Sequence, residues 1–183
     1  MEMQAMSGNI DAMMLWHVTL MNALAPAMAY SLRTTLPESI ESSVFVAAAL
    51  QLALLWGWHS PAALDAAMQH AGIGVVMHTS LFLSALWFWS AVATTTAIGR
   101  WRALIALLLT GKLFCLLGVL FVFSRSALYP GTEPIVSADT AVARQHLAGL
   151  LMLAVCPLTY FAAAIILSIR WFRDLARHNE PLV

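Results

Sequence analysis

Residues 44–93 read VFVAAALQLALLWGWHSPAALDAAMQHAGIGVVMHTSLFLSALWFWSAVA, two apolar segments joined by a short polar connection. The first closes on Leu55-Trp56-Gly57-Trp58-His59-Ser60-Pro61. The second opens Val76-Met77-His78 and ends Trp87-Phe88-Trp89. A helix needs about 20 predominantly apolar residues to cross the hydrocarbon core of a bilayer. Both segments approach that length, and each carries one histidine at the end that faces their shared connection. A hairpin of membrane helices therefore brings His59 and His78 to the same side.

Composition agrees with a membrane chain. Hydrophobic residues make up 61% of the 183, charged ones only 10%, and mean hydropathy is +0.81. Soluble domains carry about 25% charged residues. The formal net charge is zero, which argues against a nucleic-acid partner. No composition shift or repeat divides the chain, so residues 1–183 are read as one transmembrane domain. Cys115 and Cys156 lie far apart in apolar runs without C-x-x-C spacing, and read as small buried hydrophobes.

Working outward from the hairpin, five spans are expected, at about 12–32, 44–59, 75–93, 103–123 and 146–171, giving an all-α helical bundle. The start of the chain lacks Lys and Arg and does not read as a secretory signal peptide. Met1, Met3 and Met6 recur there, thioethers that suit Cu(I). The first span contains Pro26, which kinks a helix but is tolerated where neighbours satisfy the freed carbonyl. Met13, His17 and Met21 fall on one of its faces. Residues 62–70 read as a short interfacial helix, with Gly72 and Gly74 as breakers before the third span. Trp87 and Trp89 read as an aromatic belt at that span's far end. Tyr129-Pro130-Gly131 reads as a turn in the longest polar stretch. Lys112 falls near the middle of the fourth span, where a charge costs about 3 kcal/mol unless it snorkels or pairs.

Arg33, Arg100, Arg102, Arg170, Arg173 and Arg177 fall on one side of a five-span chain, Arg125 and Arg144 on the other. The positive-inside rule then sets the N-terminus outside and the C-terminus in the cytoplasm. His17, His59, His70, His78 and His146 all fall toward the outer side.

Several chemistries compete for these histidines. A haem site uses axial histidines from facing helices well inside the bilayer. A catalytic zinc site uses three ligands, an activated water and usually a carboxylate base, and no H-E-x-x-H spacing is present. Copper needs only imidazole and thioether ligands, both of which cluster here. The bland alternative is a set of histidines that only hydrogen-bond at the membrane boundary. No catalytic constellation is visible, so a non-enzymatic role is expected. The candidate ligands are His17, His59 and His78, then Met13, then His146, for copper, most naturally Cu(I).

The chain resembles the CtaG family of assembly factors for caa3-type cytochrome c oxidase, the multi-span family rather than the single-span chaperone of the same name. The resemblance rests on Leu55–Pro61 followed by Ala62-Ala63-Leu64, and on Met77-His78-Thr79-Ser80-Leu81-Phe82 leading to Leu86–Trp89. It continues through Leu117-Gly118, Leu128-Tyr129-Pro130, the run Gln145-His146-Leu147-Ala148-Gly149-Leu150-Leu151-Met152, and Arg170-Trp171. It implies a multi-pass protein of the bacterial inner membrane that helps insert copper into haem-copper oxidases. Implied partners are oxidase subunits or a periplasmic copper chaperone, besides membrane lipid and a possible second copy of the chain. An accessory subunit that packs against a respiratory oxidase without metal is the alternative. The family's first span has two histidines four apart and then Ala-Pro; here the second is His17, Ala25-Pro26 follows, and Met13 stands at the first position. The family's Asp-Gln-Gln is replaced by Arg144-Gln145-His146. Family members usually have more spans, so this chain resembles a shortened form.

Overall fold

The computed structural model describes residues 10–128 and 137–178, and every regular element among them is helical. In chain order these are α1 (Ile10–Thr19), a π-helical turn (Leu20–Leu24), α2 (Ala25–Leu32), a 3-10 segment (Glu38–Ser43) and α3 (Val44–Trp58). Then come α4 (Pro61–Gln69), α5 (Ala71–Ala93), α6 (Arg100–Phe123) and α7 (Ala138–His178). Among the described residues, four helices are long and apolar enough to cross a membrane: Ser39–Trp58, Ala71–Ala93, Arg100–Phe123 and Asp139–Arg177. They correspond to four of the five expected spans. The other, 12–32, is α1 and α2 joined through the π turn.

The reason for that π turn is legible in its hydrogen bonds. The Ala25 N–H bonds back to the Leu20 carbonyl, five residues earlier. In the same register the Met21 carbonyl would receive the N–H of Pro26, which has none. The Trp89 indole N–H, from α5, donates to Met21 O instead at 3.1 Å. Trp89 is therefore buried, with only 5% of its surface exposed, and does not sit in an interfacial belt. A helix-end tryptophan resembles a belt residue until its distant acceptor is known.

Two further tryptophans tie the central hairpin. Trp58 Nε1 donates to Ser80 Oγ at 2.9 Å near one end, and Trp87 Nε1 donates to Ser43 Oγ at 2.9 Å near the other. The two bonds hold α3 and α5 antiparallel and in register. Gly72 and Gly74 lie inside α5 rather than breaking it, and neither has positive φ. The helix starts earlier than expected because His70 is extended and its carbonyl accepts from Gly74 N–H at 3.0 Å. At Gly74 a Cβ would come within 3.0 Å of the Ala67 carbonyl, so glycine lets α4 fold back onto α5.

In lipid, helices associate through small residues that admit close backbone approach rather than through the hydrophobic effect. The buried faces fit this rule, with Ala47, Ala48, Ala85, Ala106 and Ala148 in the core. The tightest crossing joins α6 to α7. A Cβ on Gly149 would lie 2.9 Å from the Gly118 carbonyl, and one on Gly118 3.1 Å from the Gly149 carbonyl. The outward faces are apolar, including Leu108, Leu116, Leu158 and Ile165.

Polar tethers gather at the end away from His59. Glu41 accepts from Thr96 N and Oγ, both at 2.9 Å, and Arg100 pairs with Asp174 at 2.6 Å. The expected Tyr129-Pro130-Gly131 turn and Met1, Met3 and Met6 lie outside the described residues.

Candidate functional site

His17, His59 and His78 come from three helices and meet near one end of the bundle. His17 stands in the last turn of α1, His59 is the residue that caps α3, and His78 lies seven residues into α5. The His17 ring centroid is 5.4 Å from that of His59, at an interplanar angle of 82°, and 6.0 Å from that of His78, at 53°. His17 and His59 are 1% and 4% exposed. His78 lies about 10 Å along α5 from its start.

Each ring is oriented by its own helix. His59 Nδ1 lies 2.7 Å from the Leu55 carbonyl, and His78 Nδ1 lies 2.7 Å from the Gly74 carbonyl. A carbonyl can only accept, so in both rings Nδ1 carries the proton and Nε2 keeps the lone pair. This is the outer-shell arrangement that fixes the tautomer of a ligating histidine. The carbonyl in the same sequence relation to His17 is that of Met13, four residues earlier. Even so, neither His17 nitrogen makes a hydrogen bond of proper geometry, and His78 Nε2 is buried without one. Leaving a buried polar atom unsatisfied costs roughly 1–3 kcal/mol.

The wall of the site comes from α6. Phe121 packs its ring 5.8 Å from that of His59. Its carbonyl accepts from Gln145 Nε2 at 3.3 Å, and Gln145 Oε1 accepts from Leu128 N at 2.8 Å. Buried Gln145 thus clamps the end of α6 and the chain beyond it to α7. Nothing local in the sequence marks Phe121 or the Leu55 and Gly74 carbonyls as parts of the site.

The other expected ligands stand as follows. Met13 is buried one turn before His17, with 5% exposure. His146 is half-buried, and its Nε2–H donates to the Ser124 carbonyl at 3.0 Å, at the end of α6. His70 is exposed in the connection between α4 and α5. Asp65 Oδ2 accepts from Gln69 Nε2 at 2.8 Å within α4. Asn22 donates to its own helix at Val18 O (3.0 Å) and reaches Cys156 Sγ at 3.5 Å.

Imidazoles that share one ion through nitrogens at about 2.0–2.1 Å have ring centroids on the order of 5–5.5 Å apart. The His17–His59 spacing falls in that range and the His17–His78 spacing slightly beyond it. Among the described residues, no group of three or more His, Cys, Asp or Glu side chains stands ready to hold an ion. A bound ion would therefore require the rings to draw together.

The chain was compared with protein-family models, curated proteins and solved structures. The model that matches is the cytochrome c oxidase caa3 assembly factor family (Caa3_CtaG), over residues 5–174. No curated protein and no solved structure matches at a significant level. The match takes in the π-broken first helix, the tryptophan-tied hairpin with His59 and His78, and the glycine crossing of α6 on α7. This multi-pass helical chain belongs to the caa3-type cytochrome c oxidase assembly factor family.

Proposed function

We propose that the protein binds copper at the His17–His59–His78 cluster, on the outer face of the bacterial inner membrane, and passes it to a haem-copper oxidase during assembly. The observation that carries this reading is the convergence of three imidazoles, buried at His17 and His59 and half-buried at His78, two of them with Nδ1 bonded to a carbonyl of their own helix. A buried lone-pair nitrogen without a partner is costly, and a soft monovalent ion offsets that cost at His17 and His78. Imidazole and thioether donors suit Cu(I). Zinc catalysis would want a carboxylate and a water position, and Asp65, the nearest acid in sequence to His59, is bonded to Gln69. His59 and His78 would be the first ligands, then His17, with Met13 as the soft donor on the same helix. His146 is a reserve ligand that must leave the Ser124 carbonyl to take part. When bound, Cu(I) supplies only cargo. The residues hold it, exclude water and keep it accessible from one end of the bundle. The partner on that side would be an oxidase subunit or a periplasmic copper carrier.

A second reading is favoured by the absence of a ready three-ligand group among the described residues. In it, the chain packs against the oxidase as an accessory subunit and carries no metal.

Copper per folded protein, measured after Cu(I) loading of detergent-purified full-length chain, separates the two. His59→Ala and His78→Ala should each lose most of the bound copper with helicity and monodispersity unchanged, while His70→Ala retains it. Equal copper in all three variants refutes the cluster. No copper in the unmutated chain leaves the accessory reading.

A further inference from the structure

Lys112 lies on the outside of the bundle, halfway along α6, and its side chain is exposed. The apolar run from Ala103 to Phe123 places its Cα about 14 Å from one end and about 17 Å from the other. A lysine side chain reaches only about 6 Å, too short for its ammonium to reach either headgroup region along the helix. Among the described residues the ion pair present is Arg100–Asp174, and Lys112 takes no part in it. The acids Glu41, Asp65, Asp139 and Asp174 all lie near helix ends or in connections.

The surroundings of Lys112 form a stripe. At 3.6 residues per turn, Leu116, Val119, Leu120 and Phe123 continue the face that Lys112 begins, and they are 53%, 37%, 52% and 76% exposed. The opposite face of α6, with Phe114, Leu117 and Phe121, is buried in the core. Above Lys112 the stripe and Trp56 of α3 line an apolar groove of about 460 Å³. A charge that lipid cannot accommodate thus adjoins a groove that an apolar side chain can fill.

We infer that this face of α6 docks a transmembrane helix of another protein that carries a carboxylate near its midpoint. The carboxylate pairs with Lys112, and the apolar side chains one to three turns further along lie in the groove beside Trp56. Intramembrane ionisable residues occur where they pair within protein, and the complement of an ammonium is a carboxylate. A second copy of this chain does not fit, because it would oppose Lys112 with Lys112 and has no described acid at that depth.

The probe is a pair of synthetic Leu-Ala helices of about 21 residues, one with a single central Glu and its twin with Gln. Association with the full-length protein is read by fluorescence transfer in phosphatidylcholine vesicles, from a fluorophore attached after Val183. The Glu helix should bind at least about tenfold more tightly than the Gln helix. Lys112→Met, which keeps the chain length and inserts at least as readily, should erase that preference. Leu120→Trp, which fills the groove, should weaken the Glu helix while the preference for Glu remains. Equal binding of the two helices, no binding of either, or a preference that survives Lys112→Met overturns the inference. Undiminished binding to Leu120→Trp overturns the groove as the seat of the helix.

Discussion

At the scale of single residues, what distinguishes this cluster is the atom that His59 and His78 have already committed. An Nδ1–H bonded to a carbonyl of its own helix leaves His59 and His78 with the same tautomer. In the proposed site Met13 would add a sulfur donor, and its effect on metal choice is testable. Met13→His replaces a soft donor by an imidazole, so affinity for Zn(II) should rise relative to Cu(I). Competition titration of the two ions into the full chain measures that ratio; an unchanged ratio removes Met13 from the ligands. Much of the cluster was legible beforehand, because the hairpin alone puts His59 and His78 on one side. The packing of Phe121 against His59 was not, since it depends on how distant helices pack. His146 looked equivalent to the others by side alone, and only the nearby Ser124 carbonyl distinguishes it.

Among elements, the first helix and its neighbour α5 form a mechanical unit. Trp89 Nε1 occupies the carbonyl that Pro26 cannot satisfy, so Trp89→Phe should leave Met21 O buried and unpaired. The expected loss is about 1–3 kcal/mol, seen as a lower midpoint in thermal unfolding in detergent and as weaker copper retention. An unchanged midpoint would show that water or lipid replaces the indole. Hydrophobic length pointed to the four described helices long and apolar enough to cross a membrane, because a bilayer sets a minimum that composition reports directly. Helix interruptions were less readable. Gly72 and Gly74 look like breakers by propensity, yet serve close packing against Ala67. Pro26 signalled a defect in the first span, but its form, a π turn satisfied from another helix, depends on a contact 68 residues away.

For the whole molecule, five of the six histidines lie toward one end and six of the nine basic residues toward the other. Arg33 follows α2, Arg100 and Arg102 open α6, and Arg170, Arg173 and Arg177 lie in the last turns of α7. With the positive-inside rule, this predicts a cytoplasmic C-terminus. A reporter fused after Val183 should be active only in the cytoplasm, and a cysteine placed at exposed Ser137 should label from outside the membrane. The reverse pattern would turn the histidine cluster to the cytoplasm and remove any periplasmic copper source. α7 alone runs about 60 Å, twice the hydrocarbon thickness, so its polar start and basic end project beyond the lipid.

The π turn also leaves room for a change of chain length. Such a turn accommodates one residue more than the α-helix on either side requires, without disturbing what lies before or after it. Losing a residue there should be equally silent. With exposed Ala23 deleted, the α-register four-residue bond from Met21 falls on the same proline, so the Trp89 indole keeps its acceptor and His17 keeps its bearing. One residue removed at Thr19 should be far worse, because Met21 would then sit one place nearer to His17 while the spare residue stays where it is. The histidine would swing by about 100°. Copper retention across a scan of single-residue deletions from Val18 to Ala25 would show this as a narrow window of tolerance, and loss at every position would discount it.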